Sequence, residues 1–159
     1  MALRTAGWIL GAPAHILHEN HLGTVTAITE CEFRTMPARQ FSVSMQQDTD
    51  LAAWLREQFA REIREQLRRA SAFASGKVRD RLDWLVPYLF QASHQVLSDG
   101  SLRLGFPLSV TTLADMLGVS RQAASAHLAV AVERGLLVRA MDWWILPATS
   151  RFSQRIARQ

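Results

Sequence analysis

The chain has 159 residues and a single cysteine, Cys31, so it holds no intramolecular disulfide, no cysteine-ligated iron–sulfur cluster and no cysteine-rich zinc site. A reducing cytoplasm is the expected home. Long apolar runs are missing as well. The best, Trp84 to Phe90, has seven residues and contains Pro87, against the roughly 18 a membrane span requires. The opening segment imitates a signal peptide, with Arg4, the apolar Gly7 to Leu10 and the small-residue stretch Ala12-Pro13-Ala14. Its apolar part is shorter than an h-region of about 7–15 residues, so a soluble protein without a membrane partner is expected. There is also no Gly-rich phosphate loop, nucleophile triad or paired-carboxylate constellation, and neither an enzyme nor a cofactor is expected.

What is present is an ordinary globular composition, 48% hydrophobic and 20% charged. The length suits one compact domain or two small ones joined by a connecting element. The net charge of +4 is unevenly placed: residues 1–75 carry eight basic and eight acidic side chains, residues 76–159 ten basic and six acidic. All of the surplus lies in the second half, as expected if that half meets a polyanion. Seventeen of the eighteen basic residues are Arg, the side chain suited to bidentate phosphate or guanine contacts, although the base composition of a genome produces the same bias.

The chain reads in three parts. From Gly7 to Gln47, short β-like runs, Thr24 to Ile28 and Cys31 to Thr35, alternate with Gly, Pro and polar residues. Asp48-Thr49-Asp50 then offers a helix N-cap, and a helical pattern without Gly or Pro follows to Ala74. Leu51, Leu55, Phe59, Ile63, Leu67, Ala70 and Ala74 form a stripe that drifts around this helix. Its first turns should pack on the β region and its later turns on something else, such as the same helix of a second subunit. Glu57, Arg61, Glu65 and Arg69 follow one another at intervals of four, a solvated ladder of alternating charge. Ser71 to Gly76 reads as a hinge, with Ser75 a candidate cap for a helix containing Leu82, Leu85, Val86, Leu89 and Phe90 that Pro87 should kink or break. Asp99-Gly100 is a turn and Leu102 to Leu108 a strand.

The most informative stretch is SVTTLADMLGVSRQAASAHLAVAVERGLL, from Ser109 to Leu137. Ser109 is an N-cap, and Leu113, Ala114 and Leu117 share one face. Gly118 ends this short helix, and Val119-Ser120 opens a second one. There Ala124, Leu128, Val132 and also His127 are the inward candidates, with Arg134-Gly135 as its C-terminal signal. Small Ala114 lets the helices approach, Gly118 permits the sharp turn and Val119 plugs the corner, which is a helix-turn-helix. Leu136 to Val138 and Trp143 to Leu146, flanking Ala140-Met141-Asp142, read as a two-stranded wing. Trp143 and Trp144 are adjacent on a strand and must face opposite ways.

These residues resemble the Crp/Fnr family of bacterial transcription regulators from about Gly7 to Pro147, most specifically in LADMLGVSRQAAS. The resemblance implies an α+β chain: residues 1–47 a partial β-roll of the cyclic-nucleotide-binding type, 48–74 a dimerisation helix, 75–150 a winged helix-turn-helix and 151–159 a tail. It implies dimerisation through Leu55, Phe59, Ile63, Leu67 and Ala70, and partners that include double-stranded DNA, a second copy of the chain and RNA polymerase. The first part departs from the family. Gly11 is followed by Ala12 where nucleotide-binding members have glutamate, and His21 and Leu22 stand where an arginine and a hydroxyl residue meet the cyclic phosphate. An imidazole and a leucine do not replace a bidentate guanidinium and a hydroxyl, so no cyclic-nucleotide site is expected. The front half of such a roll is not in the chain, which fits a misplaced start, a remnant or a shortened sensor alike, and the effector is left open.

For DNA the resemblance carries over to Ser120, Arg121, Gln122 and Ser125 at the start of the second helix. Arg121 suits guanine O6 and N7, and Gln122 adenine N6 and N7. Ser120 caps the helix while touching phosphate. The family often has glutamate where Gln122 stands and arginine where Ala126 stands, so the half-site should differ. Ser109, Thr111 and Arg139 are further candidates for DNA contact, as is Arg103, with solvated surface charge the alternative for the arginines. Arg151, Arg155 and Arg158 lie in a tail expected to fray. His15, His18 and His21 repeat at intervals of three, but without carboxylate or thiolate partners, so no metal site is expected. Cys31 is expected to be a small buried hydrophobe.

Overall fold

The computed structural model describes residues 3–21 and 23–156, apart from the side chain of Arg155. It divides into two compact units, residues 6–66 and residues 67–156 with 3–5. The mixture of helices with a small antiparallel sheet is an α+β fold.

The first unit is helical. α1 spans Ala12–Leu17, α2 spans Ala38–Gln47, and the long α3, Thr49–Ala74, begins here. The cap of α3 is Asp48: its Oδ1 accepts from the backbone N–H groups of Asp50 at 3.0 Å and Leu51 at 2.9 Å, satisfying two donors that have no partner within the helix. In the charge ladder Arg61 pairs with Glu57 at 2.6 Å. Leu55 is fully buried. Gln58 is buried too, and its amide closes both ends of one residue's backbone: it donates to the Ile9 carbonyl and accepts from the Ile9 N–H, each at 3.2 Å. A buried amide satisfied at both ends fixes this chain crossing without a strand.

The expected strands at Thr24 to Ile28 and Cys31 to Thr35 do not form. The described residues between α1 and α2 contain neither helix nor strand, and residues 23–40 are all exposed. A strand needs a neighbour for its backbone ladder and a surface for its alternate side chains. Here Val25 and Phe33 are 64% and 59% exposed, so neither requirement is met. Cys31 is exposed as well, contrary to its expected burial, and its thiol donates to the Thr29 carbonyl at 3.2 Å.

The second unit packs α4 (Val78–Ala92), β1 (His94–Val96), β2 (Leu102–Leu104), α5 (Val110–Leu117), α6 (Arg121–Glu133), β3 (Val138–Ala140), β4 (Trp143–Leu146) and α7 (Arg151–Ile156) around one core. The sheet is antiparallel with order β1-β2-β4-β3, and Leu85, Phe90, Leu104, Met116, Leu117 and Leu146 are fully buried in the core. Four expectations change here. Pro87 neither breaks nor ends α4, because the helix buries every residue from Leu85 to Phe90 and tertiary packing outweighs the lost hydrogen bond. Ser75 is not its cap; the N-cap residue is Lys77, whose N–H donates to the Ser75 hydroxyl at 3.3 Å. β2 stops at Leu104, since Pro107 cannot extend a ladder, and Phe106 and Leu108 turn into the core. The tail does not fray at once: α7 buries Phe152, and Arg151 pairs with Asp83 of α4 at 2.5 Å. Arg158 and the Arg155 side chain lie outside the described residues. β1 was not anticipated from its three polar-flanked residues, which pair with β2 but are themselves exposed.

Candidate nucleic-acid interface

The helix-turn-helix is assembled by three caps. The Ser109 hydroxyl accepts from the Thr112 N–H at 3.0 Å and starts α5. Gly118 ends it with φ 65°, in the left-handed region, and the Val119 N–H returns to the Ala114 carbonyl at 3.1 Å. The Ser120 hydroxyl then accepts from the Ala123 N–H at 3.2 Å and starts α6. The Gly118 C-cap of α5 and the Ser120 N-cap of α6 stand two residues apart and close the turn from both sides, which leaves it little freedom.

Across the helix pair, Ala114 and Leu117 meet the inward face of α6, which is Ala124, Leu128 and Ala131, all buried. Val132 and His127, named as inward candidates from sequence, are exposed. Steps of four and then three follow a 3.6-residue helix, whereas a second step of four carries the face past the core. Gly135, with φ 64°, closes α6, and the Leu136 N–H donates to the Ala131 carbonyl at 2.9 Å.

The opposite face of α6 is open. Ser120, Arg121, Gln122, Ser125 and Ala126 are all exposed: Gln122, Ser125 and Ala126 lie away from the core face, and Ser120 and Arg121 stand at the N-terminal end of the helix. Among the described residues nothing pairs with the Arg121 guanidinium, so its donors are available to an outside acceptor. Ser109 and Thr111 are exposed at the start of α5. The N-terminal end of α6 therefore presents hydroxyls, an amide, a free guanidinium and the positive end of a helix to the outside.

The wing divides the two tryptophans as a strand requires. Trp144 is buried, and its indole N–H donates to the Leu108 carbonyl at 2.8 Å, tying β4 to the residue before the Ser109 cap. Trp143 faces the other way, half-buried, with the Arg103 guanidinium 4.7 Å from its ring. Arg103 is also bonded to the Gln95 side chain, so this candidate is engaged on the sheet rather than extended to a phosphate. Arg139 is exposed; its Nε donates to the Met141 carbonyl at 3.3 Å, and its guanidinium lies 5.6 Å from the Trp144 ring. Met141, at φ 53°, makes the wing tip and is 89% exposed.

Sequence reasoning missed Arg81. Its Nη1 donates to the carbonyls of Leu117 at 3.0 Å and Gly118 at 3.4 Å, placing a positive charge on the C-terminal end of α5. An arginine near the start of a helix gives no sequence signal for a partner 36 residues away.

On the rest of α3 the five expected dimer residues separate. Leu55 is buried and Phe59 is half-buried, while Ile63, Leu67 and Ala70 are exposed, the first two by 60% and 66%. The three histidines part company too. His15 bonds the Ser42 hydroxyl at 2.8 Å, His18 is the C-cap residue of α1, and the His21 ring lies over Gly11, where a Cβ would come within 2.9 Å of it. Gly11 also has φ 86°, so glycine is needed there on two grounds. Leu22 lies outside the described residues. Among the described residues, no three His, Cys, Asp or Glu side chains gather as metal ligands, and no helix is long and apolar enough to cross a membrane.

A family model described as MarR family matches residues 102–142, from β2 through the wing tip. No curated protein matches the chain. Among solved structures, a cysteine-to-serine variant of CprK complexed with OCPA is similar at 14% identity and a TM-score of 0.55, covering 74% of this chain and 53% of that one. CprK complexed with OCPA is similar at 15% identity and a TM-score of 0.54, covering 73% and 52%. The chain spans about half the length of these structures, and at such identity the likeness is one of fold. Family match and geometry agree on a winged helix-turn-helix of the transcription-regulator type.

Proposed function

We propose that the chain is a DNA-binding transcription regulator of the Crp/Fnr type, acting as a homodimer on an inverted-repeat operator and not controlled by cyclic AMP. The observation that carries this is the open N-terminal end of α6, where Arg121 and Gln122 project from a helix held by a capped turn. A helix so mounted fits the major groove, with Arg121 on a guanine edge, Gln122 on an adenine edge and Ser120, Ser109 and Thr111 near phosphates. Arg139 supplies a phosphate contact from the wing. The exposed Ile63, Leu67 and Ala70 give α3 a face for a second copy, and two-fold symmetry then places half-sites about 10–10.5 bp apart, or a multiple of that.

Selection of duplexes from a random pool by the full chain, at fixed salt near physiological strength, tests this. Enrichment of an inverted repeat is expected. A folded chain that enriches nothing would overturn it. A second reading draws on the exposed Ile63 and Leu67 of α3: an interaction module that pairs through this long helix with a full-length relative and modulates it without reading DNA. Stable heteromers with such a relative, and no sequence selection by the chain, would favour that reading.

A further inference from the structure

The last turns of α3 and the turn of the helix-turn-helix meet within the second unit. Phe73, near the end of α3, has the Arg81 guanidinium 4.7 Å from its ring centre and that of Arg69 at 5.2 Å. It also meets Trp84 of α4 edge-on at 6.3 Å. From that stack Arg81 reaches the Leu117 and Gly118 carbonyls. Gly118 itself lies close to the phenyl ring: a Cβ there would be 3.3 Å from Phe73 Cε1 and 3.7 Å from Arg81 Nη1. The Nε of Arg81 is buried without a hydrogen-bond partner. A guanidinium that leaves one donor unpaired in order to stack and cap at once is held by geometry on both sides.

We infer that Arg81, stacked on Phe73, is a positioning residue: it fixes the angle at which α6 stands to the end of α3, and thereby the half-site spacing that a dimer accepts. This rests on the DNA-binding homodimer proposed above. The cap alone explains why the α5 carbonyls are satisfied, but any donor or water would do that. The cation–π contact adds orientation, because a guanidinium whose Nη1 reaches the Leu117 and Gly118 carbonyls while its centre sits 4.7 Å from the Phe73 ring has few attitudes open to it. Since α6 begins two residues after Gly118, a change of attitude at Arg81 moves the whole reading face.

The test compares full-length wild type, Arg81→Ala, Arg81→Lys and Arg79→Ala on duplexes with the selected half-sites and spacers lengthened or shortened by one base pair. Arg79 is exposed on the same helix and controls for lost charge. Wild type and Arg79→Ala should prefer one spacing. In Arg81→Ala that preference should fall by about tenfold, the factor one charge-assisted hydrogen bond supplies, with the half-site sequence unchanged. Arg81→Lys should restore thermal stability but not the spacing preference. A merely structural Arg81 would lower affinity at every spacing alike, and that result would overturn the inference.

A measurement without DNA keeps the joint separable from the DNA-binding reading. Amide exchange at Gly118 and Val119 is followed in Arg81→Ala, Phe73→Leu and the double variant. Non-additive acceleration supports the joint, and additive effects refute it, whether or not the wild-type chain selects a repeat.

Discussion

Replacing Trp144 by Phe should destabilise the winged helix by about 2–4 kcal/mol, while the same replacement at the adjacent Trp143 should cost about 1 kcal/mol or less. The difference follows from what each indole touches. Trp144 is buried, with its N–H 2.8 Å from the carbonyl of Leu108, itself a core residue. Phenylalanine removes that donor and leaves a buried carbonyl without a partner, a loss of about 1–3 kcal/mol. The smaller ring also vacates core volume, which adds about 1 kcal/mol. Trp143 loses only part of a half-exposed surface and the face beneath Arg103, worth about 0.5–1 kcal/mol. Urea unfolding followed by far-UV circular dichroism avoids reporting on the indoles being removed. With a slope of about 2 kcal/mol/M, the Trp144 variant should shift its midpoint by about 1–2 M and the Trp143 variant by about 0.5 M or less. Equal shifts, or a larger one for Trp143, would refute the strand register in which Trp144 faces inward opposite Arg139.

Gly118→Ala should cost about 1–2 kcal/mol, since φ 65° strains any Cβ and this one also crowds Phe73; exchange of the α5 amides should speed by about tenfold or more. Wild type should sediment as a dimer, and Leu67→Glu, on the exposed stripe of α3, should sediment as a folded monomer. The Asp99 carboxyl is held below its ordinary value first by the Ser101 hydroxyl and then by the Ser101 backbone N–H. A depressed acid stabilises the fold above its unfolded-state titration range, and that contribution is lost as pH falls through the folded value. Ser101→Ala should therefore move the Asp99 titration, followed by NMR, back up towards the ordinary carboxylate range.

The second half of the chain was legible because its signals are local. Ser109, Gly118, Ser120 and Gly135 each act within four residues, and each cap stands where the sequence placed it. The same holds for Asp48 and the start of α3. What sequence could not show depends on partners far along the chain. Gln58 finds Ile9, Arg81 finds Gly118 and Asp83 finds Arg151 across 49, 37 and 68 residues, and none of these pairs has a characteristic spacing. In the first 47 residues the β-like runs had the right composition, but composition supplies no neighbouring strand. On α6, a period of four instead of 3.6 was enough to put Val132 in place of Ala131. At the candidate site Ser120, Arg121, Gln122 and Ser125 are exposed, whereas Arg103 and Arg151 are engaged with Gln95 and Asp83.

The central claim is that α6 reads base edges through Arg121. Its most direct test measures the affinity of wild type and Arg121→Ala, at one salt concentration, for a selected duplex and for every single base-pair variant of it. The account predicts that Arg121→Ala costs about 1–3 kcal/mol on the preferred duplex and abolishes discrimination at one base pair per half-site while sparing the rest. A loss equal on all sequences, with discrimination retained at every position, would contradict it and make Arg121 a phosphate contact.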